Sequence, residues 1–181
     1  MNVTIRKVRI EDKQDVLDMF DEYEKSELIP GLDRYEGIRN FEHLKEKTFE
    51  EWLEELKNDE DEEKLPKDFS PQSVYLVIND NNEIVGMVNI RWKEVPILMK
   101  FGGFIGYSIR PTQRGKGYAY DMLKETLAEI WKKDRKRVLI TCKDFNIPSL
   151  KTIKKNGGIY KETYHNEDDG YDYLKYWIEV E

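Results

Sequence analysis

The stretch Ile105–Ala119, IGYSIRPTQRGKGYA, decides how the rest of the chain is read. It reads as a β-strand that stops at Pro111, a basic glycine loop, and then a helix. Gly115 and Gly117 carry no Cβ, so a ligand can approach the backbone there closely. The loop runs into a helix start, where unpaired N–H groups and the positive end of the dipole favour a phosphate. Arg114 and Lys116 add positive charge to the same spot. A strand, a glycine elbow and a helix in this order make a cradle for a pyrophosphate. Two other phosphate loops do not fit. A Walker A loop needs GxxxxGK followed by Ser or Thr, which the chain lacks. A dinucleotide fingerprint needs a third glycine, and Gly115–Tyr120 has only two.

Working outward, the flanking segments alternate between strand and helix signals. Val3–Val8 alternates like a strand, and Glu11–Lys25 carries Val16, Leu17, Phe20 and Tyr23 at helical spacing. Residues 27–46 are irregular, with Pro30 and Gly31 as breakers. Thr48 and Glu51 form a capping box ahead of Trp52, Leu53 and Leu56. Asn58–Glu63 is almost all acid and reads as a solvated helix end or loop. Tyr75–Asn79 and Ile84–Trp92 form a hairpin through the polar turn 80–83, and Lys93–Gly103 is a connection with no clear periodicity. Phe104–Ile109 is the central strand. Gly117–Lys133 is a helix with the stripe Ala119, Met122, Leu123, Leu127, Ile130 and Trp131. Arg137–Cys142 is a compact apolar strand, and Pro148–Lys155 is a short helix ended by Gly157 and Gly158. Ile159–Tyr164 and Tyr171–Val180 are two closing strands.

At 181 residues with a net charge of -7, the chain fits one domain, 1–181, with a proper core. The acidic balance argues against a nucleic-acid partner. The basic run Lys132–Arg137 falls at a helix C-terminus, where the dipole favours cations. Cys142 is the single cysteine, which excludes a disulfide framework and points to a reducing compartment. The opening MNVTIRKVRIEDK has no signal-peptide pattern, and no apolar run reaches membrane-spanning length. A cytoplasmic protein without a membrane partner is expected. His43, His165 and Cys142 have no metal-ligand spacing, so no metal is expected. Cys142 reads as a small buried hydrophobe rather than a nucleophile.

The element order is β, α, α, β, β, β, α, β, α, β, β. Arg114, Gly117 and Ala119 also occupy the three defined positions of the pattern R/Q-x-x-G-x-G/A, with Ile109 and Pro111 upstream. In both order and motif the chain resembles the GNAT superfamily of N-acetyltransferases. With VLITC at Val138–Cys142 and NGG at Asn156–Gly158, it is similar to a group of bacterial predicted acetyltransferases with no obvious substrate. The resemblance implies an α/β (α+β) fold, with a single central mixed, mostly antiparallel twisted sheet of about seven strands and helices on both faces. It makes residues 27–73 a variable, acceptor-side segment.

The resemblance further implies an acyltransferase that moves an acetyl group from acetyl-CoA to a primary amine, either a small molecule or a protein amine, by direct attack. A monomer or homodimer is expected. The loop Arg114, Gly115, Lys116, Gly117, Tyr118, Ala119 and Tyr120 would hold the pyrophosphate. The backbone of Tyr107, Ser108 and Ile109 would pair with the pantetheine arm like an added strand, and one of its N–H groups would polarise the thioester carbonyl. Asn146 would touch the cofactor or cap the following helix. The chain departs from the family where many relatives carry a proton-donating Tyr, seven residues after this Asn, because Ile153 stands there. A Glu used as base in some relatives is Thr141 here. Asn146 and Ser149 instead share the spacing of the branch that acetylates ribosomal-protein N-termini, which makes Ser149 a partner for the leaving thiolate or a plain first-turn helix residue.

Glu94, Glu162 and His165 are the side chains considered as a base that works through water. The acids from Glu50 to Glu63 wall the acceptor site or form a solvated face. Trp52, Tyr35, Trp92 and Tyr107 are acceptor walls or ordinary core. A non-catalytic acyl-CoA-binding module of the same fold, or an enzyme for a longer acyl chain, are the rival readings.

Overall fold

A computed structural model describes residues 2–180. Strand β1 (Val3–Lys7) leads through a 3-10 turn into α1 (Lys13–Lys25). That turn is pinned by Asp12, whose carboxylate accepts both arms of the Arg6 guanidinium at 2.6 and 2.7 Å and the Arg9 N–H at 2.7 Å. Helix α2 (Phe49–Asn58) opens with the expected capping box between Thr48 and Glu51. Strands β2 (Gln72–Asn79) and β3 (Ile84–Arg91) form the expected hairpin. Then follow β4 (Ile105–Ile109), α3 (Tyr118–Trp131), β5 (Arg137–Lys143), α4 (Ile147–Lys155), β6 (Ile159–Asn166) and β7 (Tyr171–Glu179). The connection from Lys93 to Gly103 contains a π-helical turn over Leu98–Gly102. Among the described residues no helix is long and apolar enough to cross a membrane.

β2 explains how the layers stack. It is buried on both faces, so its side chains divide by parity. Val74, Leu76 and Ile78 pack with Val16, Met19 and Phe20 of α1 and Trp52, Leu53 and Leu56 of α2. Tyr75 and Val77 face the other way, into a core with Met122, Leu123 and Ile130 of α3 and Val138, Leu139 and Ile140 of β5. Helices therefore cover both faces of this sheet.

The seven strands do not make the single mixed sheet that the resemblance implies. They form a four-stranded sheet, β1-β2-β3-β4, and a three-stranded sheet, β5-β7-β6, in which every pairing is antiparallel. β4 and β5 meet through one backbone bond, from the Phe104 N–H to the Leu139 carbonyl at 2.8 Å. Beyond it the strands are not paired, and residues of β4 and α4 meet across the gap. Tyr107 crosses from β4 to Ser149 of α4, with 2.8 Å between the hydroxyls. The stripe on α3 also needs a correction. Met122, Leu123 and Ile130 are fully buried, joined by Tyr118 and Thr126, but Trp131 is 42% exposed. It lies one step beyond Ile130, rotated off the buried face in the last turn, with the Lys136 ammonium 3.8 Å from its ring.

Candidate active site at the parted sheets

The separation of β4 from β5 leaves an unused strand edge. Arg91 N–H donates to the Phe104 carbonyl and Arg110 N–H to the Val85 carbonyl. With the register Val88↔Tyr107 and Gly86↔Ile109, these bonds fix the phase of the ladder. The N–H and C=O groups of Tyr107 and Ile109 then point away from β3, into the gap. The Ile109 carbonyl is taken by Arg114 Nε at 3.1 Å. Arg114 also lies 5.8 Å over the ring of Tyr23, whose hydroxyl donates to Ser108 at 2.7 Å. Burial pushes the Tyr23 phenol up to about 12, so it stays a donor.

The glycine loop follows directly. Gly115 and Gly117 have φ of +76° and +89°, and a Cβ built on either would meet no atom within 4 Å. The backbone there is open, not packed. Among the described residues, the N–H groups from Gly115 to Ala119 have no protein acceptor. This is the geometry a pyrophosphate needs, with free amides converging at the N-terminus of a helix. The turn before the loop is tied to α1 by Glu22, which accepts from the Thr112 N–H at 2.6 Å and from Arg110 Nε.

These pieces line one cavity of about 690 Å³. Tyr107, Ser108, Ile109, Arg114, Gly115, Gly117, Tyr118, Ala119, Tyr120, Asn146 and Ser149 all reach it. Lys116 does not; its ammonium turns to Gln113 at 2.8 Å. Asn146 caps α4, accepting the Ser149 N–H at 3.3 Å, and borders the cavity as well. Ile153 is fully buried in the core, and Thr141 donates to the Phe101 carbonyl at 2.6 Å. Cys142 is buried, and burial pushes its thiol up to about 11, which makes it a poor nucleophile.

The three side chains considered as bases stand elsewhere. Glu94 pairs with Arg135 at 3.5 Å and Glu162 with Lys175 at 2.8 Å. His165 bonds Asp172 at 2.6 Å on the β6–β7 hairpin. The acids of α2 also miss the cavity: Glu55 holds His43 at 2.8 Å, and Glu50 pairs with Lys13 at 2.7 Å. Trp52 and Tyr35 belong to the aromatic core around Phe41, and Trp92 donates to Ser73 at 2.9 Å. Of the four aromatic walls weighed from sequence, only Tyr107 lines the cavity.

The sequence reading missed two sets of residues. Lys151, Lys154 and Lys155 line the cavity beside the loop. Their i, i+3, i+4 spacing on a helix was the available signal. Across the cavity, the irregular segment 26–36 contributes Leu28, Ile29 and Leu32 together with Glu27, Asp33, Arg34 and Glu36. Lys143 anchors this segment, donating to the Gly31 carbonyl at 2.9 Å and lying 3.6 Å from Glu36. No periodicity marks such a loop, so its role depends on tertiary contacts. The cavity thus has a basic end at the glycine loop and α4, and an acidic, partly apolar rim.

A model of the acetyltransferase (GNAT) domain matches residues 2–159. The chain belongs to this family. It is an acyltransferase by that membership. Solved structures agree on the fold. An acetyltransferase of the GNAT family from Bacillus anthracis is 21% identical, with 99% of this chain and 96% of that one covered and a TM-score of 0.61. A ribosomal L7/L12 α-N-protein acetyltransferase in complex with coenzyme A is 16% identical, with 99% and 95% covered and a TM-score of 0.65. A spermidine N-acetyltransferase chimera from Vibrio cholerae and hSSAT is 13% identical, with 99% and 96% covered and a TM-score of 0.66. No curated protein matches the sequence.

The ties that hold the site carry a pH signature. Burial pushes the Glu22 carboxyl up, but the Thr112 and Arg110 hydrogen bonds outweigh it and hold it below the usual range. Asp12 behaves alike: burial raises it, and the Arg6 and Arg9 bonds lower it further. A carboxyl depressed in the fold contributes stability that is present above its unfolded value, near pH 4, and is lost as pH falls through the folded value. Thermal stability is therefore expected to drop on acidification below about pH 4. Glu22→Gln is expected to cost about 1–2 kcal/mol at neutral pH and to flatten that acid slope. A Glu22→Gln melt that tracks the wild type from neutral pH to about pH 3 would remove Glu22 from this account.

Proposed function

We propose that the chain transfers an acetyl group from acetyl-CoA to a primary amine by direct attack. The observation that carries this is the union, in one cavity, of the open glycine loop with a β4 edge that no strand pairs and on which Arg114 takes the Ile109 carbonyl. The amides from Gly115 to Ala119 would bind the pyrophosphate, with Arg114 and the lysines of α4 supplying charge. Tyr107 and Ile109 would offer the pantetheine arm a strand edge, and an N–H of that edge would sit by the thioester carbonyl as it gains negative charge. The amine nitrogen then attacks the carbonyl carbon and a C–N bond forms. The tetrahedral adduct collapses, the C–S bond breaks, and its electron pair leaves on sulfur. The proton lost by the amine passes to water. Ser149 would hydrogen-bond the departing thiolate.

Three acids, Glu27, Asp33 and Glu36, outnumber Arg34 on the rim, and Glu27 and Asp33, unlike the Lys143-paired Glu36, favour a cationic acceptor, while Leu28, Ile29 and Leu32 offer it apolar contact. Small amines and protein amines both meet that description. Free-thiol release measured across polyamines, aminoglycosides, lysine peptides and peptide N-termini tests the reading. Tight acetyl-CoA binding without thiol release from any of them would favour an acyl-CoA-binding module.

An acceptor of pKa near 10 is overwhelmingly protonated at neutral pH. None of Glu94, Glu162 and His165 reaches the cavity, so no dedicated histidine base is expected to set the profile. Turnover is expected to climb with pH through about 9, as the free amine becomes available. A bell whose acidic limb lies near pH 6 to 7 would point to a dedicated base and overturn this part of the reading.

A further inference from the structure

Tyr107 and Ser149 come from opposite sides of the gap between the sheets, one on β4 and the other on the first turn of α4. Their hydroxyl oxygens are 2.8 Å apart, and both residues line the cavity. A phenol is the more acidic of two hydroxyls, so Tyr107 is the natural donor and Ser149 the acceptor. Ser149 then has its own O–H to give. Besides Tyr107, its neighbour is the Cys142 thiol, a neutral and weak acceptor that a thiolate would outcompete. In a helix a serine hydroxyl commonly folds back onto a carbonyl of the preceding turn, and Thr152, one turn on, does so, donating to Pro148 at 2.9 Å. Ser149 stands in the first turn of α4, where no earlier helical turn offers it such a carbonyl, and its hydroxyl meets Tyr107 instead.

We infer that Tyr107 is a positioning residue for acetyl transfer: its phenol donates to Ser149 and thereby aims the Ser149 proton at the sulfur of the leaving thiolate. This rests on the acetyl-transfer reading. When the C–S bond breaks, the electron pair stays on sulfur and Ser149 shares its proton with it in a charge-assisted hydrogen bond. Tyr107 keeps its own proton throughout, and the thiolate is finally protonated by water. The phenol suits a role that requires it to remain neutral, because burial pushes it up to about 12. The ionisable groups around the pair are Cys142, which burial holds protonated although the Ser149 hydroxyl lowers it, and Asp144 and Lys154, which act on Cys142 in opposite directions. Ile153, on the same helix, is fully buried and has no proton to offer.

The test uses coenzyme A carrying carbon-13 on the carbon that bears the sulfur, titrated by NMR in complex with the protein. In the wild type the bound thiol is expected to ionise about one pH unit below the free thiol. Ser149→Ala is expected to abolish that shift. Tyr107→Phe, which keeps the ring, is expected to remove a good part of it, and the double variant is expected to match Ser149→Ala alone. In turnover, Tyr107→Phe is expected to lower kcat several-fold with the KM for acetyl-CoA unchanged. Structural loosening would instead move both constants and leave the thiol titration alone. Circular dichroism melts confirm that each variant is folded, and Ser149→Ala alone decides whether the serine reaches the sulfur should Tyr107→Phe fail to fold. A bound thiol that titrates identically in wild type and Tyr107→Phe, or in wild type and Ser149→Ala, would overturn the inference. So would strictly additive effects of the two substitutions. Wild-type protein that fails to bind coenzyme A removes the acetyl-transfer reading and this inference with it. Wild-type protein that binds coenzyme A and transfers acetyl, with an unshifted thiol, removes this inference alone.

Discussion

Gly117→Val is expected to weaken acetyl-CoA binding by at least about tenfold, or 1.4 kcal/mol, in a protein that still folds. The local geometry separates the two effects. A Cβ at this position would meet nothing within 4 Å, so the substitution clashes with no part of the protein. It would instead project into open space beside the loop amides, where the proposed pyrophosphate would bind. The backbone itself pays a moderate penalty, since φ is +89° and a β-branched residue there costs about 1–3 kcal/mol. Gly117→Asn isolates the ligand effect, because Asn tolerates a left-handed backbone while still placing a side chain over the cradle. Calorimetry with acetyl-CoA and a thermal melt of each variant check the prediction. Wild-type affinity in both folded variants would take the loop out of the binding argument. Loss of affinity in Val but not in Asn would assign the effect to backbone strain.

The loop and the strand before it were legible because their signals are local. Gly115, Gly117 and Pro111 dictate backbone geometry within a few residues, and the stripe Met122–Leu123–Ile130 shows its period on one helix. The capping box at Thr48 and Glu51 is likewise a four-residue pattern. The division into two sheets was not legible. Whether β4 pairs with β5 depends on contacts between distant residues, and Tyr107 and Ser149, which meet across the gap, are 42 residues apart. The same limit applies to charge. The density of acids in Glu50–Glu63 is visible along the chain and reads as an acceptor wall or a solvated face. Yet α2 packs on the far face of β2, and the acids that reach the cavity are the scattered Glu27, Asp33 and Glu36. Density along a chain says nothing about which face the element presents.

Residues 27–46, which carry no periodic signal, contain the glycine with the tightest surroundings in the chain. Gly37 has φ of +82°, and a Cβ there would lie 2.2 Å from the Tyr107 carbonyl oxygen and 2.8 Å from the Tyr107 nitrogen. Opposite it, a Cβ on Gly106 would lie 2.7 Å from the Gly37 carbonyl oxygen. Two glycines thus let this loop press its backbone directly onto the middle of β4. Both obstacles are main chain, so neither can swing aside. Gly37→Val is expected to destabilise the protein by about 3 kcal/mol or more, combining overpacking with a disfavoured backbone. For a domain of this size that lowers the melting temperature by roughly 10 °C. Gly31→Ala in the same loop supplies the contrast. Its φ is +80°, but the nearest obstacle to its Cβ is the tip of the Phe145 ring at 2.7 Å, a side chain that can rotate. A smaller loss is expected there, about 1–2 kcal/mol. Because Gly37 rests on Tyr107, its replacement is also expected to disturb the strand edge offered to the pantetheine arm. Acetyl-CoA affinity should then fall in whatever fraction remains folded, whereas Gly31→Ala should leave it near the wild-type value. Melting curves for Gly37→Val and Gly31→Ala that superimpose would mean the contact on β4 yields easily, and the loop would lose its place as a wall of the site.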